Sequence, residues 1–315
     1  MPKNVIEIKD LVKRYKELVA VDHLSFNIEE GNIFGLLGPN GSGKTTLINC
    51  IISLLNYDHG EIFVFGEKMT PNALEIKQQI GLVPQQVTVY NELSVYENID
   101  YYCGLYVDDA AKRKELVQEA IDFVQLGDFI KMRPKKLSGG LLRRLNLACG
   151  IVHKPKLIFL DEPTVAVDPQ SRNRILEGIK ELNKNGTTVV YTTHYMEEVE
   201  MLCNRLAILD HGKILQIGSS EEIINLSSLG ESIEIQAFDL QDGFIKELEA
   251  LPYITNLQYE NGILSLNTKN GQNHLLSILH KLETAGIEPL SISAEKPTLN
   301  DVFLEITGKE LRDHD

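Results

Sequence analysis

The sequence predicts an α/β body followed by a smaller α+β domain. Three observations support this fold class. Apolar runs such as IFGLL at 33–37 and LIFL at 157–160 are typical of strands buried in a sheet. A glycine-rich segment, GPNGSGKTT at 38–46, stands between one such strand and a stretch with helical spacing. The last part of the chain alternates strands and helices in the order βαββαβ.

The body begins with the segment VAVDHLSFNI at 19–28, whose apolar-polar alternation predicts a half-buried strand. Glu30-Gly31 forms a turn that leads into the buried strand at 33–37. Further elements are predicted as a helix at 47–55, a strand at 61–65, a short helix at 72–79 and a strand at 80–83.

Helical spacing replaces this pattern between about residues 86 and 150. Ser94 and Glu97 have the spacing of a capping box, and Leu116, Ala120 and Val124 share one helical face. Strands return at 157–160, 188–192, 206–209 and 214–217, with the segment DHG at 210–212 as a hairpin turn. The body is therefore predicted as a sheet interrupted by a helical insertion.

The tail has a strand and helix order of its own. It predicts strand 232–237, helix 242–250, strand 254–259, strand 263–267, helix 272–284 and strand 290–293, with a turn at Asn261-Gly262. This order is ferredoxin-like. A final helix at 299–307 has Thr298 as its cap, with Asp301 completing the box. We therefore expect domains at 1–220 and 221–315.

The net charge of −14 is concentrated in the tail, because residues 221–315 contain 17 acidic and 6 basic residues. An acidic tail on a nearly neutral body is poorly suited to DNA, RNA or anionic lipid, so no nucleic-acid partner is expected. The acidic surface also keeps a protein soluble, whatever its partners.

The apolar runs of the sequence fall short of the ~18–20 residues that span a bilayer, and the N-terminus lacks the apolar block of a signal peptide. A cytoplasmic protein is expected. The four cysteines are far apart and form no CxxC pair, so we expect them to be small buried apolar residues.

Residues 38–45 match G-x-x-x-x-G-K-T in full, in the strand-to-helix context that this motif requires. Glycines let backbone amides approach phosphate oxygens, and the helix N-terminus adds partial positive charge. Lys44 would reach the β- and γ-phosphates, and the Thr45 hydroxyl would bind Mg²⁺. The predicted phosphate-binding residues are Gly38, Pro39, Asn40, Gly41, Ser42, Gly43, Lys44, Thr45 and Thr46.

The segment LIFLDE at 157–162 places two carboxylates at the end of a buried strand. Asp161 suits Mg²⁺, held through water, and Glu162 suits the polarisation of an attacking water. A lone Asp-Glu pair often marks nothing more than a strand end; the phosphate loop favours the functional interpretation.

A second anion-binding turn stands at 137–140. LSGG runs directly into the helical stretch LLRRLN, so Ser138, Gly139 and Gly140 lie at a helix start. By itself this segment would be a plain N-cap with glycines. The chain thus has two turns suited to an anion, at 38–46 and at 137–140, and one bound nucleotide phosphate group would need only the first.

Together, the phosphate loop, LSGG and LIFLDEPT resemble the ATP-binding subunits of ABC transporters over about residues 5–220. The resemblance implies a P-loop, RecA-like ATPase core with an antiparallel β-subdomain and a helical subdomain at about 86–150. It implies that Tyr15 stacks on adenine, that Gln85 contacts Mg²⁺ and the attacking water, that Asp168 belongs to the loop after the acid pair, and that His194 contacts the γ-phosphate.

The same resemblance explains the second turn. In this family LSGG closes over the ATP bound to the other subunit of a head-to-tail dimer, so two chains share two ATPs. Two positions depart from the family pattern: the usual LSGGQ ends here in Leu141, and Ala166 replaces the glycine of the next loop. Both put a full hydrolysis rate in doubt, although neither removes a group that does chemistry.

The tail segment PTLNDVFLEITG at 297–308 resembles the ending of ATPase chains whose membrane domain is a separate polypeptide, as in drug-export systems. The resulting hypothesis is an ATPase that dimerises with a second copy on ATP and Mg²⁺ and drives a separate permease, an exporter, at the inner face of the membrane. Two alternatives stay open: a nucleotide-gated regulatory module with little hydrolysis, and a non-transport ABC ATPase that acts on nucleic acid or ribosomes.

Overall fold

The computed structural model describes residues 3–238, 240–269 and 274–308. These residues form two compact units, 3–219 and 220–308. The outermost parts of the predicted domains, residues 1–2 and 309–315, lie outside the described residues. No helix within the described ranges is both long enough and apolar enough to cross a bilayer.

The first unit alternates strands and helices along most of its length. Its first half contains β1 (Asn4–Tyr15), β2 (Leu18–Glu29), β3 (Ile33–Leu37), α1 (Lys44–Ile51), β4 (His59–Val64), β5 (Glu67–Lys68), α2 (Leu74–Lys77) and β6 (Ile80–Val83). Its second half contains α3 (Val95–Gly104), α4 (Ala110–Phe123), α5 (Gly139–Ile151), β7 (Leu157–Asp161), α6 (Pro169–Lys184), β8 (Thr188–Thr193), α7 (Met196–Leu202), β9 (Arg205–Asp210) and β10 (Lys213–Gly218).

A six-stranded sheet with the order β10-β9-β3-β8-β7-β6 forms the centre of this unit. The pairing is parallel among five of these strands, β9, β3, β8, β7 and β6. At one edge, β10 pairs antiparallel to β9. The middle strands β3, β7 and β8 are buried along their whole length, as their apolar sequences predict. Because parallel strands end at one edge, the segments that follow β3, β6, β7 and β8 meet there.

A second, antiparallel sheet has the order β2-β1-β4-β5. The strand assignments from sequence began at residue 19, so they missed β1. The pairing of this strand with β2 is irregular, because Asp10 and His23 have positive φ and the β1–β2 register shifts beside them. Bulges of this kind break strict alternation, the signal on which strand prediction depends.

The predicted helix at 47–55 is shifted, since α1 begins at Lys44 and ends at Ile51. Gly43 stands at its N-cap with φ 107°, a conformation that glycine adopts without steric cost. The correction matters for the site, because it puts Lys44, Thr45 and Thr46 in the first helical turn.

Helices α3, α4 and α5 form the predicted helical region. The Ser94–Glu97 capping box is present at the start of α3, and Leu116, Ala120 and Val124 are buried together. Two 3-10 turns, Gly127–Phe129 and Pro134–Lys136, lie between α4 and α5. All four cysteines are free; Cys50, Cys103 and Cys149 are buried as expected, whereas Cys203 is half-buried.

The second unit has the predicted ferredoxin-like topology. Its elements are α8 (Ser220–Leu226), β11 (Leu229–Gln236), α9 (Asp242–Glu249), β12 (Ile254–Glu260), β13 (Ile263–Lys269), α10 (His274–Thr284), β14 (Ser291–Glu295) and α11 (Leu299–Thr307). The antiparallel sheet order is β12-β13-β11-β14, and the Thr298–Asp301 box caps α11. The helix predicted at 272–284 is described from His274, and residues 272 and 273 lie outside the described part.

Candidate functional site

The glycine-rich loop between β3 and α1 has a backbone that larger residues do not fit. A Cβ on Gly38 would stand 2.1 Å from the carbonyl oxygen of Leu209, and one on Gly43 would stand 2.3 Å from that of Ala20. Gly41 has φ 79°. The glycines of the motif are therefore required by close backbone contacts and by backbone conformation.

Lys44 and Ser42 give this loop the groups that a phosphate needs. The Lys44 ammonium is buried and donates to the carbonyl oxygens of Gly38 at 2.8 Å and Pro39 at 3.0 Å. The Ser42 hydroxyl is buried and has no hydrogen-bond partner among the described residues. An unpartnered buried hydroxyl is uncommon, and a phosphate oxygen would satisfy it. The loop therefore fits the phosphates of a nucleotide.

Thr45 and Asp161 meet although they lie far apart in the chain. The Thr45 hydroxyl donates to Asp161 Oδ2 at 2.9 Å, and the Thr192 hydroxyl donates to Asp161 Oδ1 at 2.6 Å. A threonine that donates its proton keeps oxygen lone pairs for a cation. Hydroxyl and carboxylate oxygens are ligands that Mg²⁺ accepts, together with water and phosphate oxygens. The residues present therefore fit Mg²⁺, which Asp161 and Thr45 would hold.

Glu162 lies beside three predicted site residues. Gln85 Nε2 donates to Glu162 Oε2 at 2.8 Å, Lys44 Nζ lies 3.8 Å from Glu162 Oε1, and His194 Nδ1 lies 3.7 Å from the same oxygen. The pKa of Glu162 is lowered, first by the neighbouring His194 ring, then by the Lys44 charge and the Gln85 amide, against burial that raises it. Glu162 is thus a carboxylate at neutral pH, the form that accepts a proton.

The turn at 138–140 caps α5 and packs against the loop that carries Asp168. The Ser138 hydroxyl accepts the Leu141 amide at 3.3 Å. A Cβ on Gly140 would stand 2.3 Å from Ser171 Oγ, whereas one on Gly139 would meet only the Ala166 carbonyl, at 3.6 Å. Gly140 is therefore required by packing within the chain. Gly139 has room for a side chain, and the half-buried side chain of Leu141 packs against the buried cluster formed by the helices and the central sheet.

Asp168 caps the following helix. Its carboxylate accepts the Ser171 amide at 2.9 Å at the start of α6, and that hydrogen bond lowers the pKa of Asp168. An N-cap acid also interacts favourably with the helix dipole. In this structure Asp168 thus holds the turn that packs on Gly140.

Tyr15 and the remaining loop residues lie at the surface or are half-buried. Tyr15 ends β1 with 46% of its surface exposed, and the Lys13 ammonium lies 5.2 Å from its ring centroid. The hairpin that carries Tyr15 touches the phosphate loop through Ala20, the residue whose carbonyl approaches Gly43. Asn40 is exposed, and Pro39 and Thr46 are half-buried.

Ala166 and Glu162 both have left-handed backbone conformations, with φ 58° and 46°. Such a conformation costs a non-glycine residue about 1–2 kcal/mol. The family's glycine at position 166 would adopt it freely. The alanine therefore keeps the backbone that glycine favours, and the loop is strained.

Ala166→Gly is expected to raise the free energy of unfolding by about 0.5 kcal/mol, because relief of strain exceeds the ~0.4–1 kcal/mol lost to a more flexible unfolded chain. Urea unfolding of the full chain measures this change. Ala111→Gly, at an exposed position of α4, is the control and should lower the free energy of unfolding by about 0.5–1 kcal/mol. Equal losses in both variants would show that residue 166 is unstrained.

Sequence analysis missed a buried acid, Glu198, whose carboxylate accepts four hydrogen bonds. It also missed Asn146, a buried α5 residue that accepts the Thr88 amide at 3.2 Å and donates to the Pro84 carbonyl at 3.3 Å, on either side of Gln85. A signal existed for Glu198, since Met196, Val199 and Leu202 mark the buried face of α7.

A family model described as ABC transporter matches residues 21–165. The linearmycin resistance ATP-binding protein of Bacillus subtilis is 34% identical over 311 residues, 98% of this chain and 100% of that protein. The Nod factor export ATP-binding protein I of Sinorhizobium fredii is 34% identical over 98% of this chain and 87% of its own length. The daunorubicin/doxorubicin resistance ATP-binding protein of Streptomyces peucetius is 34% identical, with 98% and 93% covered.

Solved structures resemble about two thirds of the chain. A dimeric ATP-binding cassette in a post-hydrolysis state, bound to ADP and phosphate, has a TM-score of 0.63 at 27% identity over 68% of this chain and 98% of its own. A dimeric bacterial ABC transporter cassette has a TM-score of 0.62 at 28% identity, with the same shares covered.

Proposed function

Since the chain belongs to the ABC transporter family as an ATP-binding subunit, we propose that it hydrolyses ATP in a head-to-tail dimer and drives a separate membrane permease. Residues 1–220 would be the nucleotide-binding domain, with its helical subdomain at about 86–150, and 221–315 an accessory domain. The observation that carries the proposal is the convergence of Lys44, Asp161 and Glu162 at one sheet edge.

Each group at this edge has a role that its contacts support. Lys44 and the loop amides would bind the phosphates, and Thr45 and Asp161 would hold Mg²⁺, which neutralises phosphate charge. Glu162, ionised and bonded to Gln85, would accept a proton from the attacking water. His194 lies beside Glu162 and would contact the γ-phosphate, while Tyr15 would stack on the adenine.

The second anion-binding turn supports a site shared between two chains. Ser138 and Gly139 stand at the N-terminus of α5, where backbone amides and the helix dipole favour an anion. A Cβ on Gly139 would approach only the Ala166 carbonyl, at 3.6 Å, so this position is not filled by its own chain and a partner's phosphate could approach it. A second copy of this chain would supply that phosphate, since dimers of identical subunits are the commonest assembly.

Mixing two inactive variants tests this arrangement. Gly139→Asp should fold normally, because its side chain has space, yet should repel the partner's ATP; Lys44→Ala should lose its own ATP. A heterodimer of the two keeps one complete site, so an equimolar mixture should regain up to about a quarter of the wild-type ATPase rate. Gly139→Ala is the control, expected to stay active. A mixture as inactive as either variant would contradict shared sites in this chain.

An exporter is the transport function that the relatives support. Their names refer to linearmycin resistance, Nod factor export and daunorubicin/doxorubicin resistance. We infer a place at the inner face of the cell membrane, where the chain would be held by its permease. Affinity isolation of the full chain from detergent-solubilised membranes should recover one integral membrane protein in a fixed ratio. Recovery of nucleic acid or ribosomes instead would favour the non-transport alternative.

Ala166 favours one alternative, a nucleotide-gated regulatory module with little hydrolysis. Its strained loop joins Glu162 to Asp168, so the strain could slow turnover without affecting ATP binding. A steady-state ATPase assay with and without the permease separates the two functions: a rate near zero in both conditions would support the regulatory module.

A further inference from the structure

Glu198 on α7 is a buried acid outside the groups assigned above, and its carboxylate accepts four hydrogen bonds. It is fully buried, and each carboxylate oxygen accepts two hydrogen bonds. Oε1 accepts the Thr164 hydroxyl and the Arg172 Nε, both at 2.7 Å. Oε2 accepts the Tyr191 hydroxyl at 2.6 Å and the Thr193 hydroxyl at 2.7 Å.

These donors come from three segments, and each segment carries a residue of the proposed site. Thr164 follows Glu162 by two residues. Arg172 lies one turn after Asp168, at the start of α6. Thr193 ends β8 and directly precedes His194. One carboxylate therefore connects the loop after β7, the start of α6 and the end of β8.

The loop that Thr164 belongs to needs such an anchor. Both Glu162 and Ala166 are left-handed, and Thr164 stands midway between them. Strained backbone persists only where the surrounding structure holds it. The bond from Thr164 to Glu198 is a buried contact in the middle of this strained turn. Loss of that contact would let the turn relax, and the Glu162 carboxylate would move with it.

A second chain of contacts leads to His194. The Arg172 guanidinium, held by Glu198, lies 4.6 Å from the centroid of the Tyr195 ring, and that ring lies 4.2 Å from the His194 ring. The Thr193 hydroxyl, which donates to Glu198, also accepts the Tyr195 amide at 3.0 Å. The backbone and the ring next to His194 are thus both tied to Glu198.

We propose that Glu198 is a positioning residue for ATP hydrolysis, holding the segments that carry Glu162, Asp168 and His194 in the relative placement that turnover requires. This inference rests on the proposed function. All four donors to Glu198 lie outside the glycine-rich loop at 38–46, so ATP binding should depend on it little. Its charge matters as well as its shape, because Arg172 is a half-exposed cation that an amide would leave uncompensated.

The test compares Glu198→Gln and Thr164→Val with Glu197→Gln, an exposed neighbour on the same helix as matched control. Steady-state ATPase assays on the full chain give kcat and KM, and melting curves confirm folding. We expect Glu198→Gln to lower kcat about tenfold or more while KM for ATP changes by less than about threefold. Thr164→Val should lower kcat in the same way by about threefold.

The double variant distinguishes positioning from general destabilisation. If both residues act through one contact, the double variant should be no slower than Glu198→Gln by more than about twofold. The inference is overturned if kcat of Glu198→Gln lies within about twofold of the control. It is also overturned if Glu198→Gln raises KM for ATP and leaves kcat unchanged, or if the reductions in kcat of the two single variants multiply in the double variant. Should Glu198→Gln fail to fold, Thr164→Val against the control decides by the same criteria.

The ATPase activity of the wild-type protein distinguishes a failure of the proposed function from a failure of the positioning role of Glu198. A wild-type protein without ATPase activity, alone and with its permease, contradicts the proposed function itself. A wild-type protein that hydrolyses ATP, with a Glu198→Gln variant that hydrolyses it equally fast, contradicts only the positioning role.

Discussion

Replacing Glu162 with Gln is expected to lower the rate of ATP hydrolysis by about 10²–10⁴-fold while ATP binding persists. Glu162 has a lowered pKa and lies close to Lys44, Gln85 and His194. Glutamine has nearly the same shape, yet it accepts no proton. The phosphate loop is unchanged, so the variant should bind ATP and accumulate as the closed dimer.

Two measurements on the same preparation check this prediction: single-turnover hydrolysis, and size-exclusion chromatography with ATP and Mg²⁺. Glu197→Gln on α7 is the control for the loss of one negative charge, and it should hydrolyse ATP at the wild-type rate. A Glu162→Gln variant that turns over ATP as fast as wild type would show that another group is the base.

Replacing Lys44 with Ala should weaken ATP binding by about 100-fold or more, since truncating one partner of a buried charged contact costs several kcal/mol. Lys44 is 5% exposed, its ammonium is held by two carbonyl oxygens of the loop, and it lies 3.8 Å from Glu162 Oε1. Lys44→Ala should therefore lose both ATP binding and ATP hydrolysis, whereas Glu162→Gln should lose only hydrolysis.

Equilibrium binding of ATP, measured by calorimetry on the two variants and on wild type, separates these effects. Lys77→Ala is a suitable control, because Lys77 also donates to a backbone carbonyl, that of Pro71 at 3.0 Å, but lies on α2 away from the glycine-rich loop in sequence. The control should bind ATP normally. If Lys44→Ala bound ATP as tightly as Lys77→Ala, the loop would not be the nucleotide site.

Much of this fold was predictable from local patterns. The apolar runs of β3, β7 and β8, the capping boxes at Ser94 and Thr298, and the order of the C-terminal elements all appear in the structure. Each depends on residues a few positions apart, and local spacing determines periodicity and capping. The family assignment was predictable for the same reason, because its motifs are short and contiguous.

Other features depended on contacts between distant segments. Strand β1 was missed because its bulges interrupt alternation, and α1 was placed three residues late because the left-handed Gly43 sets its start. Glu198 was missed because an acid on an amphipathic helix is usually solvated. The spacing of Met196, Val199 and Leu202 indicates that Glu198 lies on the buried face of α7, but its four donors come from distant segments and are identified only in the structure.

The sequence by itself determined which chemical groups this protein has, and in what order: a glycine-rich loop, a second glycine turn at a helix start, an acid pair and an acidic C-terminal segment. Tertiary structure decided which of those groups meet. Parallel strands bring their carboxyl ends to one edge, so Thr45 reaches Asp161 and Gln85 reaches Glu162 across more than seventy residues of chain. Such contacts follow from strand order and packing, which no local pattern specifies.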